Sequence, residues 1–210
     1  MEAIGEEVRN LDSSPLYPYR KENDYHPVIG EGNLNADAVF VGEAPGKNEA
    51  ESGRPFCGRA GKILDGLLET AGLDREEVYI TNIVKDRPPK NRRPTKKEVS
   101  IYSPFLMRQL RIIQPRLVVT LGKTAAEFAF EELNTGEEFS AFKEIEGKIF
   151  EFEFDGRQTL LFPLYHPAYA IYQRTVLQQM NEEFRKIPEF IGKNKLVLDK
   201  LATNQKVKDS

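Results

Sequence analysis

One cysteine, Cys57, stands in a chain of 210 residues, so no intramolecular disulfide is possible and no zinc or iron–sulfur site can be built from several thiolates. That scarcity fits a reducing compartment, and the cytoplasm is the expected location. No apolar run is long enough to cross a bilayer. The first residues, Met1-Glu2-Ala3-Ile4-Gly5-Glu6-Glu7, are acidic where a secretory leader would be basic and then apolar. A soluble, unexported protein with no membrane partner is expected, and a monomer. An excess of positive charge is lacking too: the net charge is −3, which argues against a general nucleic-acid coat protein. Internal repeats are absent. So are the common nucleotide fingerprints, because Gly42-Glu43-Ala44-Pro45-Gly46 has neither the lysine and hydroxyl of a phosphate-cradling loop nor a third glycine opening a helix. Nucleotide hydrolysis and hydride transfer lose ground accordingly.

What is present is a regular alternation. Ala38-Val39-Phe40-Val41, Val78-Tyr79-Ile80-Thr81, Leu117 to Leu121 and Leu160 to Leu164 are short apolar or β-branched runs that read as buried strands. Between the first two, Ile63, Leu64, Leu67, Leu68 and Ala71 recur at helical spacing and Gly72 closes the pattern. A second helix starts at Thr95, capped by its hydroxyl with Glu98 completing a capping box, and stops before Pro115. Thr124 to Leu133 reads as a third, and Leu177, Met180, Phe184 and Ile187 mark a fourth. Strand and helix in alternation imply an α/β fold: a three-layer α/β/α sandwich around a mostly parallel four-stranded sheet. The alternating run Ile149 to Phe154 before Asp155-Gly156 adds an antiparallel hairpin at an edge. Residues 1–35 lack periodicity and read as an N-terminal arm, residues 36–192 as the single domain, and residues 193–210 as a charged tail.

In open parallel sheets the ligand sits beyond the carboxyl ends of the strands, and Gly42 to Gly46, Asn82, Gly122 and His166 all fall there. A Gly-Glu-Ala-Pro-Gly loop lets backbone approach a flat ligand closely. Asn82 carries a donor and an acceptor that can pair with one edge of a pyrimidine, and Phe56 can supply a stacking face. Core packing for Phe56 and a strand-end turn for Asn82 are equally compatible with the letters. The stretch Lys85 to Lys97 is densely basic and rich in proline, suited to gripping phosphates through Lys85, Arg87, Lys90, Arg92 and Arg93, or else a solvated loop. Cys57 reads as a buried packing thiol and His26 as a surface histidine.

Together these residues resemble the family 4 uracil-DNA glycosylases. The matching motifs are Gly42-Glu43-Ala44-Pro45-Gly46, Glu49, Gly53-Arg54-Pro55-Phe56, Gly58-Arg59-Ala60-Gly61, Tyr79-Ile80-Thr81-Asn82, Arg87-Pro88-Pro89, Leu121-Gly122-Lys123-Thr124-Ala125 and His166-Pro167-Ala168-Tyr169. They occur in the family's order, from Ile29 to Phe184. The resemblance implies hydrolysis of the bond between uracil and deoxyribose in DNA, as a step of base-excision repair. It implies that Gly42, Glu43 and Ala44 line the uracil pocket, that Phe56 stacks on the ring, that Asn82 reads its Watson–Crick edge, and that His166 contacts a uracil carbonyl. A neutral His166 would stabilise charge developing on the leaving base. Glu43 would orient the attacking water or shape the wall against a thymine methyl. The segment from Tyr169 to Arg174 resembles a loop that wedges into the vacated helix, and it can equally be the start of the last helix. Hypoxanthine or xanthine as substrate, and a non-catalytic uracil binder, are the alternatives. A related group that cross-links to DNA through an inserted histidine is excluded, because Lys90 to Lys97 holds no histidine.

Two departures stand out. Family members typically carry four cysteines that hold an iron–sulfur cluster, and alignment on neighbouring motifs puts Leu11, Ser14, Asp86 and Tyr102 at those places. No cofactor is therefore expected. A salt bridge from Asp86 to the flanking Lys85 or Arg87, or packing of Tyr102, is the expected substitute for the cluster as a fastening. The second departure is Ala50, where an acidic residue is usual, which puts a second carboxylate in doubt.

Overall fold

Four apolar runs become four parallel strands, and everything else is arranged by how the chain connects them. The computed structural model describes residues 1–133, 135–171 and 173–192. The expected tail, residues 193–210, lies outside the described residues. In chain order come α1 (Glu2–Arg9), α2 (Tyr17–Glu22), β1 (Glu31–Gly32), β2 (Ala38–Gly42), α3 (Lys47–Ser52), α4 (Arg59–Thr70), β3 (Tyr79–Asn82), α5 (Lys96–Ile113), β4 (Leu117–Leu121), α6 (Lys123–Glu132), α7 (Phe142–Ile145), β5 (Phe150–Phe154), β6 (Arg157–Leu164), α8 (Pro167–Ala170) and α9 (Arg174–Phe184).

The sheet runs β1-β3-β2-β4-β6-β5, with β3, β2, β4 and β6 parallel and the two edge strands antiparallel. It thus has six strands where four and a hairpin were expected. The extra strand is the two-residue β1, too short to leave a period-two pattern, and it pairs Glu31 with Ile80 and Gly32 with Tyr79. At the other edge the hairpin turns at Asp155 (φ 53°) and Gly156 (φ 78°), two positive-φ positions that match the right-handed twist of the flanking strands. Every residue of β2, β3 and β4 is buried, because helices cover both faces. Val39, Val41 and Val118 pack on one side with α1, α5 and α6, whereas Ala38, Phe40 and Val119 pack on the other with α4 and α9.

Thr95 caps α5 as the sequence predicts: its hydroxyl accepts from the Glu98 amide at 3.2 Å while the Glu98 carboxylate accepts from the Thr95 amide at 2.8 Å. The N-terminal segment is not a free arm. Ile4, Val8 and Leu16 are buried in the same core as Tyr102 and Leu106. Two buried aliphatic side chains on a helix of eight, Ile4 and Val8, are too few to show a period, yet they suffice to seat α1 on the sheet.

Candidate active site

The carboxyl ends of β2, β3, β4 and β6 open into one cleft of about 490 Å³. Connections leave β2 in both directions, to β3 on one side and past it to β4 on the other, so the cleft lies at a topological switch point. Glu43, Ala44, Phe56, Asn82 and His166 line it together. Gly42, expected among the lining residues, lies instead beneath them. It is in register with Asn82 across the β2–β3 ladder. A Cβ there would stand 2.3 Å from Asn82 Oδ1 and 2.7 Å from Phe56 Cζ, so only glycine admits both side chains.

Asn82 is buried, and no group among the described residues hydrogen-bonds its carboxamide. Its donor and acceptor are open to the cleft that the residue lines, free to pair with a ligand. The backbone of Asn82 is held from behind. Lys85 Nζ donates to Asn82 O at 2.6 Å, Thr81 Oγ1 at 2.8 Å and Gln109 Oε1 at 2.5 Å. This overturns the expected role of Lys85 in gripping phosphate. Past β3 the chain bends, held by bonds from the Ile83 and Val84 amides to Gly42 O and Glu43 O. The bend after β3 folds Lys85 back beneath the strand end, towards Gln109 of α5, where it is fully buried. Burial holds its ammonium well below the usual lysine range.

His166 follows β6 and caps α8, its Nδ1 accepting from the Ala168 amide at 3.1 Å. Enclosure pushes its pKa down to about 4, with the charge of Glu49 pulling the other way. The imidazole is therefore neutral at pH 7, and because Nδ1 accepts, Nε2 carries the proton. Its ring stacks on Phe56 with centroids 5.5 Å apart. Phe56 has φ 47°, uncommon for a non-glycine residue, and its carbonyl would lie 1.8 Å from a Cβ on Gly61, so the first turn of α4 can approach it only as glycine.

Glu49 is the site residue to which the sequence motifs gave no role. Its Oε1 accepts from the amides of Cys57 and Gly58 at 3.0 and 2.9 Å, which ties α3 to the turn that presents Phe56. Glu49 is also the second carboxylate of the cleft. Ala50 beside it is completely buried, so an acidic side chain there would need its own partner. Cys57, read as buried, is half-exposed, its Sγ 3.2 Å from Ser52 Oγ.

Of the basic loop, Pro88, Asn91 and Arg92 reach the cleft. Arg92 is forked onto Glu98 at 2.8 and 2.6 Å. Arg87 bonds Tyr25 Oη at 2.6 Å and Asn91 Oδ1 at 2.7 Å, which shapes the loop from inside. Lys90 and Arg93 are exposed, Arg93 paired with Glu127. Lys123 and Thr124, at the start of α6, complete the rim, a contribution the sequence reading left out. Tyr169 stands about half exposed, stacked on Tyr165 with centroids 5.6 Å apart. Arg174 is exposed at the start of α9, and Tyr172 lies outside the described residues.

A thiolate-held cluster does not fit the residues present. Ser14, Asp86 and Tyr102 are bonded to one another, and Asp86 pairs with Arg20 at 2.9 Å rather than with Lys85 or Arg87 as expected. The fourth position, Leu11, is an aliphatic side chain packed on the core.

Comparison with known proteins points the same way. Residues 29–189 match the model of the uracil DNA glycosylase superfamily. A type-4 uracil-DNA glycosylase of Saccharolobus solfataricus is 40% identical over 200 residues, covering 95% of this chain and 90% of that protein. One from Sulfurisphaera tokodaii is 42% identical, covering 90% and 84%. Another, from Archaeoglobus fulgidus, is 41% identical, covering 94% and 98%.

Proposed function

The chain belongs to the uracil DNA glycosylase superfamily, and on that premise we propose that its cleft receives a uracil turned out of DNA and breaks the bond between N1 and the deoxyribose. The reaction is the opening step of base-excision repair. What carries the reading is the meeting of an unpartnered Asn82 carboxamide and a neutral His166 imidazole across one cleft. The carboxamide pairs with the N3–H and O4 of uracil, donor to acceptor and acceptor to donor. Phe56 offers its ring to the base.

As the glycosidic bond breaks, its electron pair stays with the base and charge gathers on the uracil oxygens. His166 Nε2–H donates to the carbonyl where that charge develops. Water adds to the sugar carbon, and Glu43 orients it and accepts its proton. Extruding the base costs a few kcal/mol, which stacking and phosphate contacts at Lys90, Arg92, Arg93, Tyr169 and Arg174 offset. The reading takes a monomer working in the cytoplasm with no membrane partner. No helix among the described residues is long and apolar enough to cross a membrane.

The test uses single- and double-stranded oligonucleotides carrying one uracil, hypoxanthine or xanthine, followed by alkali to cut abasic sites. Breaks with uracil alone are expected. Breaks only at a purine would change the substrate, and retained but uncut DNA would make the chain a binder.

A further inference from the structure

Ser14, Asp86 and Tyr102 come from three separate stretches of chain and meet with Arg20 in the interior, each at most 4% exposed. Tyr102 Oη donates its only proton to Asp86 Oδ2 at 2.6 Å. The 2.8 Å contact between Ser14 Oγ and Tyr102 Oη must then be a bond donated by the serine, whose oxygen in turn accepts from the Leu16 amide at 3.1 Å. From the other side Arg20 Nη1 donates to both Asp86 oxygens at 2.9 and 3.0 Å and to Val8 O at 3.0 Å, while Nη2 donates to Arg9 O. The chain of donors is directional, amide to serine to tyrosine to carboxylate, and closes on a guanidinium. Both hydroxyl protons have acceptors, and both terminal nitrogens of Arg20 donate, which is the kind of connected buried network that rigidifies its surroundings.

Its place in the fold gives it a job. Asp86 lies four residues beyond Asn82 and directly before Arg87-Pro88-Pro89, which leads into the mouth of the cleft. Its neighbour Lys85 reaches the opposite way, to Asn82 O and Gln109. Consecutive residues therefore pin this segment in two directions, one behind the base-reading residue and one behind the basic loop.

We propose that Arg20, Asp86, Tyr102 and Ser14 form an organic staple that holds Pro88 to Arg93 in DNA-binding position by side chains alone. Arg20 and the N-terminal helices thereby become part of the DNA-binding apparatus, although none of them reaches the cleft. Arg20, Asp86 and Tyr102 are positioning residues: they act on affinity through the loop and leave the chemistry to His166. DNA affinity in this chain is then indifferent to iron chelators.

The inference rests on the glycosylase reading of the cleft, so its test combines a kinetic and a structural readout. Tyr102→Phe removes one hydroxyl and leaves the ring packed, so the protein should fold. Arg20→Met and Arg20→Lys form a graded pair. For Tyr102→Phe and Arg20→Met, KM for a uracil oligonucleotide should rise about ten-fold with kcat within about two-fold, the size expected for one lost charge-assisted contact. Amide exchange at residues 87–93 should quicken by a similar factor, and Arg20→Lys should recover part of both. A chelator should leave wild-type KM unchanged. Folded Tyr102→Phe and Arg20→Met proteins with wild-type KM and wild-type exchange overturn the staple. So does a fall in kcat at constant KM, or a KM that rises on chelation. If the wild type never cuts uracil DNA, the glycosylase reading fails, and exchange at residues 87–93 still decides the staple.

Discussion

Gly42 and Asn82 are register partners across β2 and β3, and the missing side chain of the first is the space occupied by the second. A methyl group at position 42 would overlap Asn82 Oδ1 and the edge of the Phe56 ring. Both neighbours line the cleft, so relieving the overlap displaces the groups that are to hold the base. Gly42→Ala should therefore lower single-turnover uracil release by about 10²-fold or more, since displacing a positioning group by an ångström costs that much. Comparing that rate with the melting temperature separates a distorted pocket from an unfolded protein; a folded variant with the wild-type rate would refute the arrangement.

His166 should show itself twice. His166→Ala is expected to slow cleavage by about two orders of magnitude with little change in DNA binding, as for loss of one donor to a developing oxyanion. Stability gives an independent reading. Its pKa falls from 6.5 in the unfolded chain to about 4 in the fold, so the unfolded state binds the extra proton. The associated stability is fully present above pH 6.5 and is lost as pH drops towards 4, up to about 3 kcal/mol. Urea unfolding at pH 7 and pH 4.5 should show a larger loss for wild type than for His166→Gln, and equal losses would refute a depressed pKa.

The basic residues divide by salt dependence. Arg93→Ala and Lys90→Ala should weaken DNA binding and each reduce the log–log salt slope by about 0.7 to 0.9, the signature of one phosphate contact. Lys85→Met should leave that slope unchanged while lowering thermal stability and uracil turnover, because the lysine supports Asn82 and meets no phosphate. Binding titrations at three salt concentrations distinguish the two behaviours.

A carboxyl pair far from that loop predicts the opposite pH trend to His166. Glu146 and Glu183 share Gln179 Nε2 at 2.8 and 3.0 Å, and each keeps one buried oxygen without a partner. Burial, and for Glu146 the neighbouring Glu183 charge, push both above the usual carboxylate range. Their contribution is present below pH 4.5 and lost as pH rises through the raised values. Glu146→Gln should therefore be more stable than wild type at pH 9 and no more stable at pH 4. Thermal melts at both values test this; a variant less stable than wild type at pH 9 would overturn it.

Much of the molecule was legible where one physical signal dominated. The runs Ala38 to Val41 and Leu117 to Leu121 could only be buried strands, Thr95 with Glu98 announced a helix start, and Asp155-Gly156 announced a hairpin. Asn82 and His166 were found because strand ends in a parallel sheet converge on one edge. Lys85 and Asp86 were misread for a reason that is equally physical. Inside a basic run a charged letter looks solvated, and only the bend after β3, with its bonds to Gly42 O and Glu43 O, turns Lys85 into the core. The partner of Asp86 lies 66 residues away in a segment with no periodicity, so nothing local pointed to Arg20. Glu49 carries no signal of its own either, because two backbone amides several residues downstream define its role.

The bonds that join Arg20 to Asp86 and Ser14 to Tyr102 also order events in time. They close loops of 66 and 88 residues, whereas the Thr95 cap and the Asp155-Gly156 turn form between near neighbours. Closure entropy makes the distant contacts slow to gain. The pairing of Ala38 with Leu117 spans 79 residues, so the centre of the sheet and these buried bonds carry closure costs of the same order and belong to the same late, cooperative stage.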